Sequence, residues 1–163
     1  MTHEPLFRKR DPGGAHPAER AARLDPGHPQ LAALLGELIV ALDRCAADEG
    51  LAAVAEALEL VEQTGERVDL ATLHATRGDL LLAASAENQA EAEACFRQAL
   101  DVARSQNARF CELQAATRLA RLWQQQGRKD EARELLAPVY DWFTEGFDTR
   151  DLMEAKLLLG ELA

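Results

Sequence analysis

The chain has 163 residues, of which 47% are hydrophobic and 5% aromatic, and its formal net charge is −10. Ala and Leu dominate the apolar set, and Glu, Arg and Gln are abundant, which suits one helical domain with a substantial core. The acidic balance is set against phosphate backbones and anionic membrane surfaces, so neither nucleic acid nor membrane is an expected partner.

The charge is unevenly spread. The first thirty residues hold five basic and four acidic side chains, which leaves thirteen basic against twenty-four acidic for the rest. That first segment also contains Pro5, Pro12, Pro17, Pro26 and Pro29 with Gly13, Gly14 and Gly27. Residues 1–29 therefore read as a flexible tail with little to bury. Met1 to Arg10 lacks the apolar run of a signal peptide. Cys45, Cys95 and Cys111 are odd in number and show no paired spacing, which fits reduced cysteines in a cytoplasmic protein.

Helical periodicity begins near residue 30 and defines a helical domain over 30–163. The first helix is expected from about Pro29 to Cys45, with Leu31, Leu34, Leu35, Leu38, Ile39 and Leu42 on one broad apolar face. Interrupted by Glu37, Leu31 to Leu42 is too short to span a bilayer. A second helix, about Leu51 to Gln63, places Val54, Ala57, Leu58 and Val61 together, and Gly65 supplies a stop. A third is expected from about Val68 to Ala84, and a fourth from Gln89 to Arg104 with Ala92, Phe96, Ala99 and Ala103 inward. The fifth, Arg109 to Gln126, ends at Gly127. The sixth starts after Arg128 and is expected to bend at Pro138, bury Phe143 and close at Gly146. Asp148 and Thr149 are suited to cap a last helix over about Thr149 to Leu162.

These helices carry a repeat of about 42 residues. Gly36, Gly78 and Ala120 are each 42 apart, as are Ile39, Leu81 and Trp123. A second set runs Gly50, Ala92 and Ala132, then Val54, Phe96 and Leu136, then Ala57, Ala99 and Val139. A small residue followed by a large one, twice per repeat, marks stacked helical hairpins. The small residues let backbones approach, and the large ones fill the groove beside them.

Chemistry-bearing motifs are missing from the pattern. No Gly is followed at phosphate-loop spacing by Gly-Lys-Ser/Thr, and neither Cys-x-x-Cys nor His-Glu-x-x-His occurs. His74 shares its repeat position with Ala32 and Ala116, which favours packing over ligation. No catalytic, cofactor-binding or metal-binding residue is assigned, and an enzyme is not expected. Tyr140, Trp142, Phe143 and Phe147 admit two readings: a seal between the sixth and last helices, which is favoured, or a ligand pocket.

Leu35-Gly36, Gly78 and Ala120, with the Ala92–Phe96–Ala99 set, resemble the tetratricopeptide repeat. The resemblance implies an all-α, right-handed α-solenoid of three hairpins plus a C-terminal capping helix. The period differs, since the family repeat is about 34 residues. A narrower resemblance is carried by EAEACFRQALDVA (Glu91 to Ala103) and by Leu119 to Leu162. This is similar to the C-terminal repeats of large bacterial regulators, in which an adenylate cyclase or DNA-binding domain and an ATPase module precede them. No cyclase or ATPase segment is found in this chain, so their chemistry is not carried over.

The tetratricopeptide resemblance implies that the first helix of each hairpin lines a concave surface. It places Glu37 there from the first repeat, Thr72 and Asp79 from the second, and Gln114, Thr117, Arg121 and Gln124 from the third. Glu37 and Asp79 would repel a terminal carboxylate, so a basic or mixed polar protein segment is the expected partner. A merely solvated face is the alternative. A different class of function is self-association, a weak homodimer through Leu31, Leu34, Leu38 and Leu42, or a remnant of a larger regulator without its catalytic domains.

Overall fold

A computed structural model of the chain describes Ala33, residues 47–65, Arg67 and residues 69–163. The expected first helix, with Glu37 and the Leu31, Leu34, Leu38 and Leu42 face, lies outside the described residues apart from Ala33, as does the 1–29 tail.

Six α-helices occupy the described residues: α1 Ala47–Thr64, α2 Leu70–Ala84, α3 Gln89–Ser105, α4 Arg109–Gln125, α5 Lys129–Asp141 and α6 Arg150–Glu161. Among the described residues there is no strand. Each helix from α1 to α5 packs on the next one in the chain, and α5 also meets α6. In addition α2 meets α4, and α4 meets α6. The result is two layers, with α2, α4 and α6 side by side in one and α3 and α5 packed against them in the other.

The residues that recur at the repeat period lie in the core. Ala92, Phe96, Ala99, Ala120, Ala132 and Leu136 are all buried, and Val54 and Ala57 occupy the matching places on α1. Gly78 shows why a small residue is needed at its position. A Cβ there would stand 2.5 to 2.9 Å from three atoms of the Phe96 ring, closer than real contacts allow. The α2 backbone thus rests directly on the buried ring of α3.

Turns between helices use a common device. At the end of α4, Gly127 takes φ +79°. Its N–H donates to Gln124 O (3.0 Å), and the Arg128 N–H donates to Trp123 O (2.8 Å). After α3, Asn107 takes the same left-handed place at φ 53°; its N–H donates to Arg104 O (3.1 Å), and the Ala108 N–H donates to Ala103 O (2.8 Å). Both are Schellman closures, which bind carbonyls that would otherwise be left over at the helix end. Asn is among the few non-glycine residues that tolerate this conformation.

Two expectations are corrected. The helix containing Pro138 ends at Asp141, short of Gly146. The chain then turns, with the Phe143 N–H donating to Tyr140 O at 3.1 Å. Phe143 still reaches the core, but from the turn. Thr149 stands at the N-cap of α6 with extended backbone, yet its side chain makes no capping bond. Met153 and Leu157 of α6 are exposed.

Candidate functional site

The layer formed by α2, α4 and α6 presents an open groove of about 420 Å³. Asp79 reaches it from α2, Gln114, Thr117, Arg118 and Arg121 from α4, and Arg150, Asp151 and Glu154 from α6. Helical spacing explains the α4 set: residues 114, 118 and 121 recur at i, i+4 and i+7, so they project from one face. On α6, residues 151 and 154 share a face by the same rule.

These side chains are joined across the helices. Arg118 Nε donates to Asp79 Oδ2 at 2.7 Å, tying α4 to α2, and its Nη1 donates to Gln114 O at 3.2 Å. Gln114 Nε2 donates to Asp151 Oδ1 at 2.9 Å, and Arg121 Nη1 lies 2.6 Å from Glu154 Oε1, tying α4 to α6. Every carboxylate in the groove therefore already faces a donor. Three guanidinium groups and three carboxylates line the groove, so formal charge there is balanced although the chain is strongly acidic. Burial pushes the Asp79 carboxyl above its ordinary range, outweighing Arg118 and Arg121, and Glu154 adds to the rise.

Of the residues expected on a concave surface, Asp79, Gln114, Thr117 and Arg121 meet in this groove. Thr117 forms part of the floor. It is only 7% exposed, and its hydroxyl donates to Leu113 O at 2.8 Å, so a partner would meet its surface rather than its O–H. Thr72 is exposed on α2 but does not line the groove. Gln124 lies outside the lining too, with its amide donating to Glu161 at 2.9 Å. Glu37 lies outside the described residues.

Sequence reasoning missed Arg118, Arg150, Asp151 and Glu154. Arg118 lies one helical turn after Gln114, but its neighbour Thr117 is at a comparable spacing, so spacing does not choose between them. The sequence presents the α6 residues only as part of a capping helix, because nothing local says that this helix extends the groove.

The opposite layer carries a second polar cluster. Trp123, buried on α4, has the Arg97 guanidinium at 5.2 Å and the Arg128 guanidinium at 4.5 Å from its ring centre. Glu93 accepts from Arg97 at 2.8 Å and from Arg128 at 3.3 Å, and Arg128 also pairs with Glu131 at 2.6 Å. Burial raises the Glu93 carboxyl, but the donors Arg97, Trp123 and Arg128 together hold it below its ordinary value. The indole N–H is aimed at Glu93 without completing a hydrogen bond. His74 is half-buried, its Nδ1 has no hydrogen-bond partner, and burial with help from Arg77 lowers its pKa. Cys95 is a buried free thiol pushed up by burial.

Among the described residues no group of three or more His, Cys, Asp or Glu side chains is placed to hold a metal ion, and no helix is long and apolar enough to cross a membrane. No family profile matches the chain, and comparisons with characterised proteins and with solved structures find no match.

Proposed function

We propose that the chain is a non-catalytic protein-interaction module of tetratricopeptide-like architecture, an α-solenoid whose groove receives a segment of a partner protein. One observation carries this reading: three helices distant in sequence contribute side chains to a single open polar groove. An elongated concave surface built from one helix per repeat is the usual binding face of a helical repeat protein. The balanced charge favours a mixed polar segment over a strongly basic one, because a partner must exchange ion pairs rather than satisfy bare charges. The filled carboxylates weigh against acid–base or metal chemistry in the groove, since each would have to lose its donor first. A place in a bacterial signalling regulator accords with the resemblance of residues 91–103 and 119–162, and a cytoplasmic setting accords with the reduced cysteines.

The test is site-specific photocrosslinking from the groove and from the opposite layer. A photoreactive residue at Gln114 or Arg121 is expected to capture one partner that the same residue at Arg133 does not. A peptide spanning the captured segment should bind one to one, and Arg121→Ala should weaken it by about tenfold or more. Equal capture from both layers, or peptide binding indifferent to Arg121→Ala, would refute the reading.

A further inference from the structure

Away from the groove, the end of α3, the start of α4 and the later part of α5 border a separate open cleft of about 250 Å³. Its volume is below the ~300–1,000 Å³ usual for small-molecule sites. Leu135, Pro138, Val139 and Trp142 form an apolar wall contributed by α5 and the residue just after it. Trp142 is 56% exposed. It packs edge-on against Phe143, with ring centres 5.2 Å apart. The aromatic cluster is thus divided: Tyr140 and Phe143 pack against the core, while Trp142 faces outward.

The opposite rim is charged in an unusual way. Glu112 is a carboxylate only 4% exposed, and each of its oxygens takes one guanidinium. Arg104 Nε donates to Oε1 and Arg109 Nη1 to Oε2, both at 2.9 Å. The carboxylate is covered while the two arginine side chains remain 48% and 43% exposed. Each has spent one nitrogen on Glu112 in the bonds made here, and the other N–H groups remain for a ligand. The Arg109 guanidinium is also held 5.3 Å from the Trp142 ring. Both cations are therefore positioned before anything binds, which lowers the ordering cost of a charge-assisted contact. Glu112 and Glu134 balance the two arginines in formal charge, but Glu112 is covered, so what this rim offers a ligand is the exposed guanidinium N–H groups.

We propose that this cleft docks an acidic–apolar peptide segment of a partner protein. One large apolar side chain of the segment lies against Trp142, Pro138 and Leu135, and a neighbouring carboxylate pairs with Arg104 and Arg109. Exposed Trp beside Arg is the composition of an interface hot spot, and carboxylate to guanidinium is its strongest directional contact. The site does not depend on the groove reading, because it shares no lining residue with the groove.

The experiment is an NMR titration of the full chain labelled with nitrogen-15, following its two indole N–H signals. The probe is the capped peptide acetyl-Gly-Asp-Asp-Leu-Phe-Gly-amide, alongside versions with Asn-Asn or Lys-Lys in place of Asp-Asp. The acidic peptide should shift the Trp142 indole saturably, with a Kd of about 1 mM or tighter, and leave the buried Trp123 signal in place. The Asn version should bind about tenfold more weakly, and the Lys version less still. Trp142→Ala should lose the peptide-induced backbone shifts around Leu135, and Arg104→Gln should remove the preference for Asp over Asn. Arg121→Ala in the groove should bind as the unaltered chain does. No saturable shift, equal shifts from all three peptides, or loss of binding in Arg121→Ala would each overturn the proposal. The peptide comparison needs no change in the protein, so it stands even if a variant fails to fold.

Discussion

Asp79 and Glu93 are both acidic residues paired with arginine, one in the groove layer and one in the opposite layer, and their surroundings treat them oppositely. Asp79 has one close guanidinium at 2.7 Å, and burial still pushes its carboxyl up. Glu93 has two guanidinium groups and an indole N–H around it, and these hold its carboxyl down. The balance between burial and donors decides the sign: burial outweighs the arginines at Asp79, and the donors outweigh burial at Glu93. Asp79 thus ionises at some cost, whereas Glu93 gains by ionisation.

Removing the centre of the Trp123 cluster should break that comparison most strongly. Trp123→Ala takes away a buried ring in contact with two guanidinium groups and is expected to cost about 3–5 kcal/mol, read as a lowered urea midpoint at unchanged slope. Next comes Gly78→Ala, which drives a Cβ into the Phe96 ring and should cost about 1–3 kcal/mol despite the better helix propensity of Ala. Combined with Phe96→Leu, it should cost less than the two changes summed, and full additivity would mean that the contact is not the cause.

Glu93→Gln should cost about 1–2 kcal/mol by thermal melting, because two arginines lose their shared carboxylate at a site only 18% exposed. Arg121→Ala in the groove should fall within about 1 kcal/mol of the unaltered chain, as half-exposed ion pairs do. Its effect should appear in partner binding instead.

The finest test is the sign of the pH dependence. Asp79 has a raised folded-state pKa, so its contribution is complete below the ordinary value near 3.8 and is lost as pH rises through the folded value. Glu93 has a lowered one, so its contribution is present above the ordinary value near 4.5 and is lost as pH falls through the folded value. Across urea titrations from acid to neutral pH, Asp79→Asn should gain stability relative to the unaltered chain as pH rises. Glu93→Gln should lose it over the same series. Matching slopes would erase the difference between the two layers.

Spacing made the helices readable. Apolar residues recur at helical intervals through Val54, Ala57 and Val61 and through Ala92, Phe96 and Ala99, and all of these are buried. Gly65 and Gly127 end their helices with positive φ, as glycine after an apolar run suggests. The end of α5 was less legible. Phe143 and Gly146 continue a plausible pattern, and only the turn bond from Phe143 to Tyr140 shows that the helix has stopped. Similarly, Thr117 and Arg118 adjoin in sequence, and spacing alone did not show which one would offer its polar atoms to the groove.

By itself the sequence determined that the described residues are helical, many of their core positions and the place for a small residue at Gly78, because these follow from local periodicity and residue size. It marked Asp79 and Arg121 as equivalents, 42 residues apart. Tertiary structure decided their neighbours: Asp79 meets Arg118, about one turn earlier, and Arg121 meets Glu154 of α6. Two helices lying side by side bring together residues set by their relative shift and tilt, and a repeat period does not encode either one. The Arg104–Glu112–Arg109 bracket has the same origin, since its burial depends on how α3, α4 and α5 close around it.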